Sequence, residues 1–346
     1  MTNKKLFGVL QMKYAKIAAG ILVLILLFFS FSKPGSHSET EFLMDTVVSV
    51  TAYGPHAKSS VKLVFERLRE LDKKFNAHRV DSEISKINNA PANKAISVDP
   101  EVCNLLKTAL KFSEDSDGAF DVTMLPISNL WGFTSETPKR PDEKELAAVL
   151  LKSGRHHLTL DENTCSITKA IDGLQIDLGA VAKGYAAEEA IRLLKEQGIR
   201  HAYLDLGGNI AVMGGKPMNV WESLFTGKKA RPFRIGLQQP DAPRGTVMET
   251  VSLSDGYVVT SGDYERYFEE DGKRYHHILN PKTGYPADTQ LKSVTVVSDN
   301  GTEADMLSTA LFVLGADRME HLQDRCKAIY TVDNRMNFKT VKPLTE

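Results

Sequence analysis

The sequence predicts an α+β fold, largely antiparallel sheets flanked by helices, preceded by one N-terminal membrane-anchor helix. Three observations predict it. Between Gly207 and Ser298, strand-like runs follow one another with no helical pattern between them, which favours antiparallel pairing over a doubly wound parallel sheet. Elsewhere, apolar residues recur at helical spacing. Ahead of everything else, Lys4, Lys5, Lys13 and Lys16 lead into the apolar run IAAGILVLILLFFSF, residues 17–31.

That run is short for a bilayer span, which needs about 20 apolar residues with about 17 as the lower limit; a secretory core needs only about 7 to 15. Either reading puts the rest of the chain outside the cytoplasm, and the preceding lysines keep the N-terminus inside. FFSFSKPGSHS offers no small-x-small cleavage site, and no cysteine follows the run to carry a lipid. The expectation is an uncleaved anchor: residues 1–16 a short basic cytoplasmic segment, 17–32 the signal anchor, 33–39 a polar linker, and 40–346 one compact unit.

Within that unit, Val61, Val64, Phe65, Leu68, Leu71 and Phe75 give residues 60–76 one apolar helical face. Asp99 caps a second helix with Pro100 in its first turn, where a missing N–H costs nothing. Asp142 and Glu145 open a third that Gly154 ends. The fourth runs over 182–197 and the fifth over 302–314. VVSVTAY, QIDLG, AYLDLG, RIGL, GYVVT, HHIL and SVTVVS read as short strands. The 43 basic and 44 acidic residues balance, so nothing in the charge calls for a nucleic-acid partner. Cys103, Cys165 and Cys326 are too few and too scattered for a disulfide ladder or a CxxC site and read as mostly buried thiols.

Five stretches are candidates for chemistry. In IDLGAVAKGYAAEEAIRLL, residues 176–194, a Gly-containing turn meets a helix start near Lys183, a place where free N–H groups favour a phosphate; such turns are more often only turns. In TEADMLSTALFVLG, Asp305, Ser308 and Thr309 share one side of a helix and offer oxygen ligands to a hard cation, or else form the polar edge of a half-buried helix. DGAFDVTMLPISNLWGF, residues 117–133, reads as a loop that lines a pocket or caps a core, and LDLGGNIAVMGG as a Gly-Gly hairpin. RYHHILNPKTGYP sets His276 and His277 on opposite faces of a strand, so only one can face a given site. Histidine suits proton transfer near neutrality, although a lone strand histidine is more often structural.

Taken together and in order, MDTVVSV, GAFDVT with PISNLWGF, IDLGAVAKGYA, LDLGGN, TSGDYERYF, HHILNPKTGYP and ADMLSTALFVLG resemble the ApbE-like FAD:protein FMN transferases from about Phe42 to Gly315. The resemblance implies a T-fold-like α+β domain that splits FAD, attaches its FMN half to a threonine or serine hydroxyl of an acceptor flavoprotein, and releases AMP with Mg²⁺ as cofactor. It matches Met44, Ala119, Phe120, Asp121, Asp177, Lys183 and the backbone of Leu279 to FAD contacts, with His78 where an aromatic ring often meets the flavin. It matches Asp305, Thr309 and the Ala180 carbonyl to metal ligands, and His277 to the base that deprotonates the acceptor, leaving His276 as an exposed neighbour. Many relatives have Asp at the position of Asn280 and a lipid-bearing cysteine that this chain lacks. The alternatives are an FAD pyrophosphatase using water as acceptor and a non-catalytic, membrane-tethered flavin binder.

Overall fold

The computed structural model describes residues 13, 14, 16–21, 23 and 35–344. The expected anchor over 17–32 falls mostly outside the described residues. Those of it that are described, 17–21 and 23, are helical, and among the described residues no helix is long and apolar enough to cross a membrane.

Eight strands form the central sheet: β1 (Ser36–Leu43), β2 (Thr46–Tyr53), β3 (His201–Leu206), β4 (Asn209–Met213), β5 (Gly256–Gly262), β6 (Leu291–Ser298), β7 (Ala328–Asp333) and β8 (Phe338–Lys342). They lie side by side in chain order, each antiparallel to the next. The helices enter as insertions between neighbouring strands. Between β2 and β3 come α1 (Ala57–Phe75), α2 (Glu83–Asn89), α3 (Pro100–Asp115), α4 (Leu125–Trp131), α5 (Glu143–Leu150) and α6 (Ala182–Glu196). α7 (Val220–Thr226) stands between β4 and β5, and α8 (Gly301–Leu314) between β6 and β7.

Period-2 alternation decides which side of the sheet each layer covers. Val48, Val50 and Ala52 point into the main core with α1, α6 and α8. Tyr53 and Tyr203 point the other way, against a separate hairpin, Phe233–Gln238 with Val247–Leu253. α8 is buried on nearly all sides: Leu307, Leu311 and Phe312 have no exposure, each such side chain contributing roughly 1.5–3 kcal/mol. Its polar residues must therefore find partners inside the protein.

Several expectations change. QIDLG is not a strand but an extended strap, fastened where Asn88 both donates to the Ile176 carbonyl at 2.9 Å and accepts from its N–H at 2.7 Å. Side-chain amides replace a ladder there. RIGL lies in the separate hairpin rather than the central sheet. Of HHIL only His276 is in a strand, Lys273–His276, paired with Tyr267–Glu270. The supposed loop 117–133 contains α4, whose Pro126 sits in the first turn where its ring is tolerated. α5 ends at Leu150, four residues before Gly154. Strand β1 begins at Ser36, inside the stretch read as a linker, because its alternating polar residues pair with β2. Of the thiols, Cys103 and Cys326 are buried but Cys165 is only partly so.

Candidate active site

The tight β1–β2 and β3–β4 turns lie side by side at one end of the sheet. Met44 and Asp45 both have positive φ, 53° and 58°, as a two-residue I′-type hairpin requires. Non-glycine residues tolerate that poorly, and strain of this kind gathers at functional sites. The β3–β4 turn uses Gly207 and Gly208, and a Cβ on Gly207 would lie 2.0 Å from Thr46 Oγ1, so only glycine lets the two turns touch.

Above these turns is a cavity of about 320 Å³. All twelve residues that the resemblance matched to FAD contacts, metal ligands or the base border it, although they come from six separated segments. Met44 is in the β1–β2 turn and His78 follows α1. Ala119, Phe120 and Asp121 come from the loop before α4, Asp177 and Ala180 from the strap before α6, and Lys183 from its first turn. His277 and Leu279 follow the strand ending at His276, and Asp305 and Thr309 are on α8.

The most buried acid is Asp305, with 4% exposure. Its Oδ2 accepts from Gly184 N–H at 2.9 Å, at the start of α6, where the helix dipole favours a negative charge. Lys183 Nζ is 4.0 Å from Oδ1 and donates to the Gly179 carbonyl at 2.6 Å. The helix start expected to suit a phosphate thus already lends one N–H to a carboxylate. Gly184 makes this possible: a Cβ there would lie 2.2 Å from the Gly301 carbonyl oxygen and 2.8 Å from Asp305 Cβ, so α6 and α8 cross backbone to backbone. Thr309 Oγ1 is 3.3 Å from the Asp305 carbonyl, and Ser308 is turned away into a 2.8 Å bond with Ser261.

The two adjacent histidines part company. His276, expected to be exposed, is 7% exposed: Nε2–H donates to the Ala287 carbonyl at 3.2 Å, Nδ1 accepts from Ile278 N–H at 3.3 Å, and the ring stands edge-on to Phe312. Burial pushes its pKa down to about 4. His277 borders the cavity, and the Arg266 carbonyl receives both its backbone N–H at 3.0 Å and its Nδ1–H at 3.3 Å. A carbonyl only accepts, so the neutral ring carries its proton on Nδ1 and leaves the Nε2 lone pair free. Desolvation, then the charges of Arg266 and a protonated His276, push its pKa down to about 3.

Other residues of the site have further partners. Asp121 borders the cavity and also braces its wall: Oδ1 accepts from Thr123 N–H and Oγ1–H in its own loop, and Oδ2 accepts from Arg155 N–H in the segment after α5. Asn280 Oδ1 accepts from Lys282 N–H at 2.9 Å and holds the NPKTG turn with no charge required. His78 is exposed at the cavity mouth. Sequence reasoning missed Arg266, whose Nη2 donates to the Asp45 carbonyl at 3.2 Å, and Asn209, which follows the Gly-Gly turn. Asn209 is 3% exposed, borders the cavity, and its Nδ2 has no hydrogen-bond partner among the described residues. Its only sequence signal was its place beside the two glycines.

A family model described as the ApbE family matches residues 44–330. The FAD:protein FMN transferase of Vibrio cholerae is 35% identical over 255 residues, 72% of each chain. That of Klebsiella pneumoniae is 33% identical over 282 residues, covering 82% of this chain and 84% of the relative. Among solved structures, the ApbE protein of Thermotoga maritima superposes with a TM-score of 0.78 at 32% identity, covering 88% of this chain and 97% of that one. The apo flavinyl transferase ApbE of Pseudomonas stutzeri gives 0.75 at 32% identity, covering 90% and 95%.

Proposed function

From the premise that the chain belongs to the ApbE family and is an FAD:protein FMN transferase, we propose that it uses Mg²⁺ to move FMN from FAD onto a threonine or serine hydroxyl of an extracytoplasmic acceptor flavoprotein of an electron-transfer complex. The transferase would work on the periplasmic side of the inner membrane, tethered by residues 17–32; the lysines ahead of that apolar run support this orientation.

The donor set fits a hard cation. Asp305, Thr309 and the Ala180 carbonyl offer oxygen only, and among the described residues no group of three or more His, Cys, Asp or Glu is placed to form an all-protein metal cage. Mg²⁺ commonly takes one or two protein ligands and leaves its other positions to water and substrate phosphates. When bound, it would supply charge neutralisation to the pyrophosphate oxygens.

The chain's own residues would do the rest. Lys183 adds a positive charge beside Asp305. His277 Nε2 takes the proton of the acceptor hydroxyl as that oxygen bonds to the FMN-side phosphorus; the phosphoanhydride bond breaks and AMP leaves with the bridging oxygen. The observation that carries this reading is the His277 tautomer: Nδ1–H is tied to a carbonyl, and the ring is kept neutral in the cavity that also holds Asp305.

The test incubates the full chain in detergent with FAD, Mg²⁺ and a candidate acceptor. A fluorescent acceptor band, heavier by one FMN unit and dependent on Mg²⁺, is the expected result. Free FMN and AMP with an unlabelled acceptor would make water the acceptor, and intact FAD would leave only binding.

A further inference from the structure

The far end of the sheet breaks the usual surface rule. Between β4 and β5 a two-stranded stalk, Lys216–Pro217 paired with Ala230–Arg231, leads into and out of α7. α7 shows solvent its apolar side chains: Val220 is 57% exposed, Leu224 70% and Phe225 82%, with Trp221 stacked on Phe225 at 5.8 Å. Monomeric proteins seldom leave such a cluster uncovered without a use for it.

Flanking it in the chain are Lys216, Lys228, Lys229, Arg231 and Arg234. The single acid of the excursion, Glu222, is engaged in a capping box, accepting from Asn219 N–H at 3.1 Å while Asn219 Oδ1 accepts from Glu222 N–H at 2.8 Å. The ion pairs among the described residues lie elsewhere, from the Arg67–Glu101–Glu189 cluster to Arg325. At the foot of the stalk, Lys216, Arg231 and Arg234 rim a second cavity of about 440 Å³ that Tyr53, Tyr203 and Phe233 also line.

Register fixes where this patch lies relative to the N-terminal segment. Ser36 pairs with Tyr53, Tyr53 with His201, and His201 Nδ1 is 2.7 Å from the Gly214 carbonyl and 3.0 Å from that of Gly215, next to Lys216. Gly54 N–H also donates to the Gly35 carbonyl. The chain therefore enters the domain from the apolar run 17–31 at the same sheet end that bears α7.

We propose that the excursion from Lys216 to Arg234 is a membrane-surface foot: Val220, Leu224 and Phe225 enter the interfacial layer of a bilayer while the flanking lysines and arginines meet anionic headgroups. Short amphipathic helices with basic surroundings bind membranes in this way. The inference rests on the reading of residues 17–32 as an anchor, which brings the foot to the bilayer. Along β2, from Tyr53 back to Thr46, seven residue steps at about 3.3 Å would hold the active site roughly 20 Å above the lipid, within reach of a partner's exposed loop.

The test mixes the full chain with vesicles of phosphatidylcholine, with and without phosphatidylglycerol, whose acyl chains are brominated, and follows flotation and tryptophan emission. The sequence has two tryptophans, and Trp131 is fully buried. Quenching should therefore report Trp221 and disappear in Trp221→Phe. It should be stronger with phosphatidylglycerol, fall about fivefold in partition for each of Lys228→Gln and Lys229→Gln, and vanish in Phe225→Glu, while FMN transfer to a soluble acceptor in detergent stays unchanged.

A chain that floats on both vesicle types with Trp221 unquenched keeps the anchor and overturns the foot. One that floats only on anionic vesicles, with quenching, keeps the foot and overturns the anchor; flotation on neither overturns both. Loss of acceptor labelling in Phe225→Glu without lipid quenching would reassign the surface to the acceptor protein and overturn the proposal.

Discussion

The two ends of the central sheet break opposite rules. At the turn end, charge and unpaired polarity are buried: Asp305 is nearly sealed, and Asn209 Nδ2 lacks a partner among the described residues. At the entry end, large apolar groups are exposed on α7. Both arrangements are costly in an isolated, ligand-free domain, since burying an unpaired polar group costs about 1–3 kcal/mol and exposing an apolar side chain forfeits a similar amount. The difference indicates what each end meets: a small, highly charged ligand at one, an extended apolar surface at the other.

The largest break in that contrast should come from Asp305. Asp305→Asn keeps an oxygen for Gly184 N–H and so preserves the crossing of α6 and α8, but it removes the charge. With several kcal/mol of charge stabilisation at stake, FMN transfer should fall by about 10³ or more with Tm little changed. Transfer at the wild-type rate under saturating Mg²⁺ would remove Asp305 from the metal site.

Next is His277. His277→Ala should cost about 10²–10⁴ in kcat while FAD binding, followed by flavin fluorescence, persists. Because its pKa is depressed to about 3, the wild-type ring is already neutral at pH 5, so kcat should show no fall through a pKa near 6.5 attributable to this group. A rate that halves near pH 6.5 in wild type, and no longer does so in His277→Ala, would show an ordinary imidazole and a more open site.

His276 sharpens the same pair through stability. Its folded pKa of about 4 is below the unfolded value of about 6.5, so its contribution is fully present above pH 6.5 and is lost as pH falls toward 4. From pH 7 to pH 5 the loss should be on the order of 2 kcal/mol, read as a drop in Tm that His276→Phe reduces. An unchanged acid slope in that variant would mean that other groups carry it.

Much of this was legible in the sequence for identifiable reasons. The antiparallel class followed from successive strand-like runs, although α7 within Gly207–Ser298 gave no helical pattern in the sequence reading, and the helices of the main core followed from apolar spacing at Val61, Val64 and Leu68. What escaped depends on contacts distant in sequence. QIDLG has the alternation of a strand, but Asn88, nearly ninety residues earlier, takes its backbone bonds. The split fates of His276 and His277 depend on Ala287, Phe312 and Arg266, none of which a histidine pair announces. Motif order brought twelve cavity residues into view, yet gave no sign that Asp121 ties its loop to Arg155 or that Asn209 Nδ2 has no partner among the described residues.

Asn209 offers the finest test because function and stability should move in opposite directions. Its Nδ2 has no partner among the described residues, in a cavity built for a substrate rich in phosphate and carbonyl oxygens. Leucine branches at Cγ as asparagine does but offers no donor. Asn209→Leu should relieve an unpaired buried amide and raise Tm by a few degrees, about 1 kcal/mol, while losing one hydrogen bond to FAD and raising its KM about tenfold with kcat nearly intact. A purely structural asparagine would give a lower Tm and an unchanged KM. The turn that presents it tolerates little besides glycine at Gly207, against Thr46, so the donor's position is set by the same close approach that joins the two hairpins.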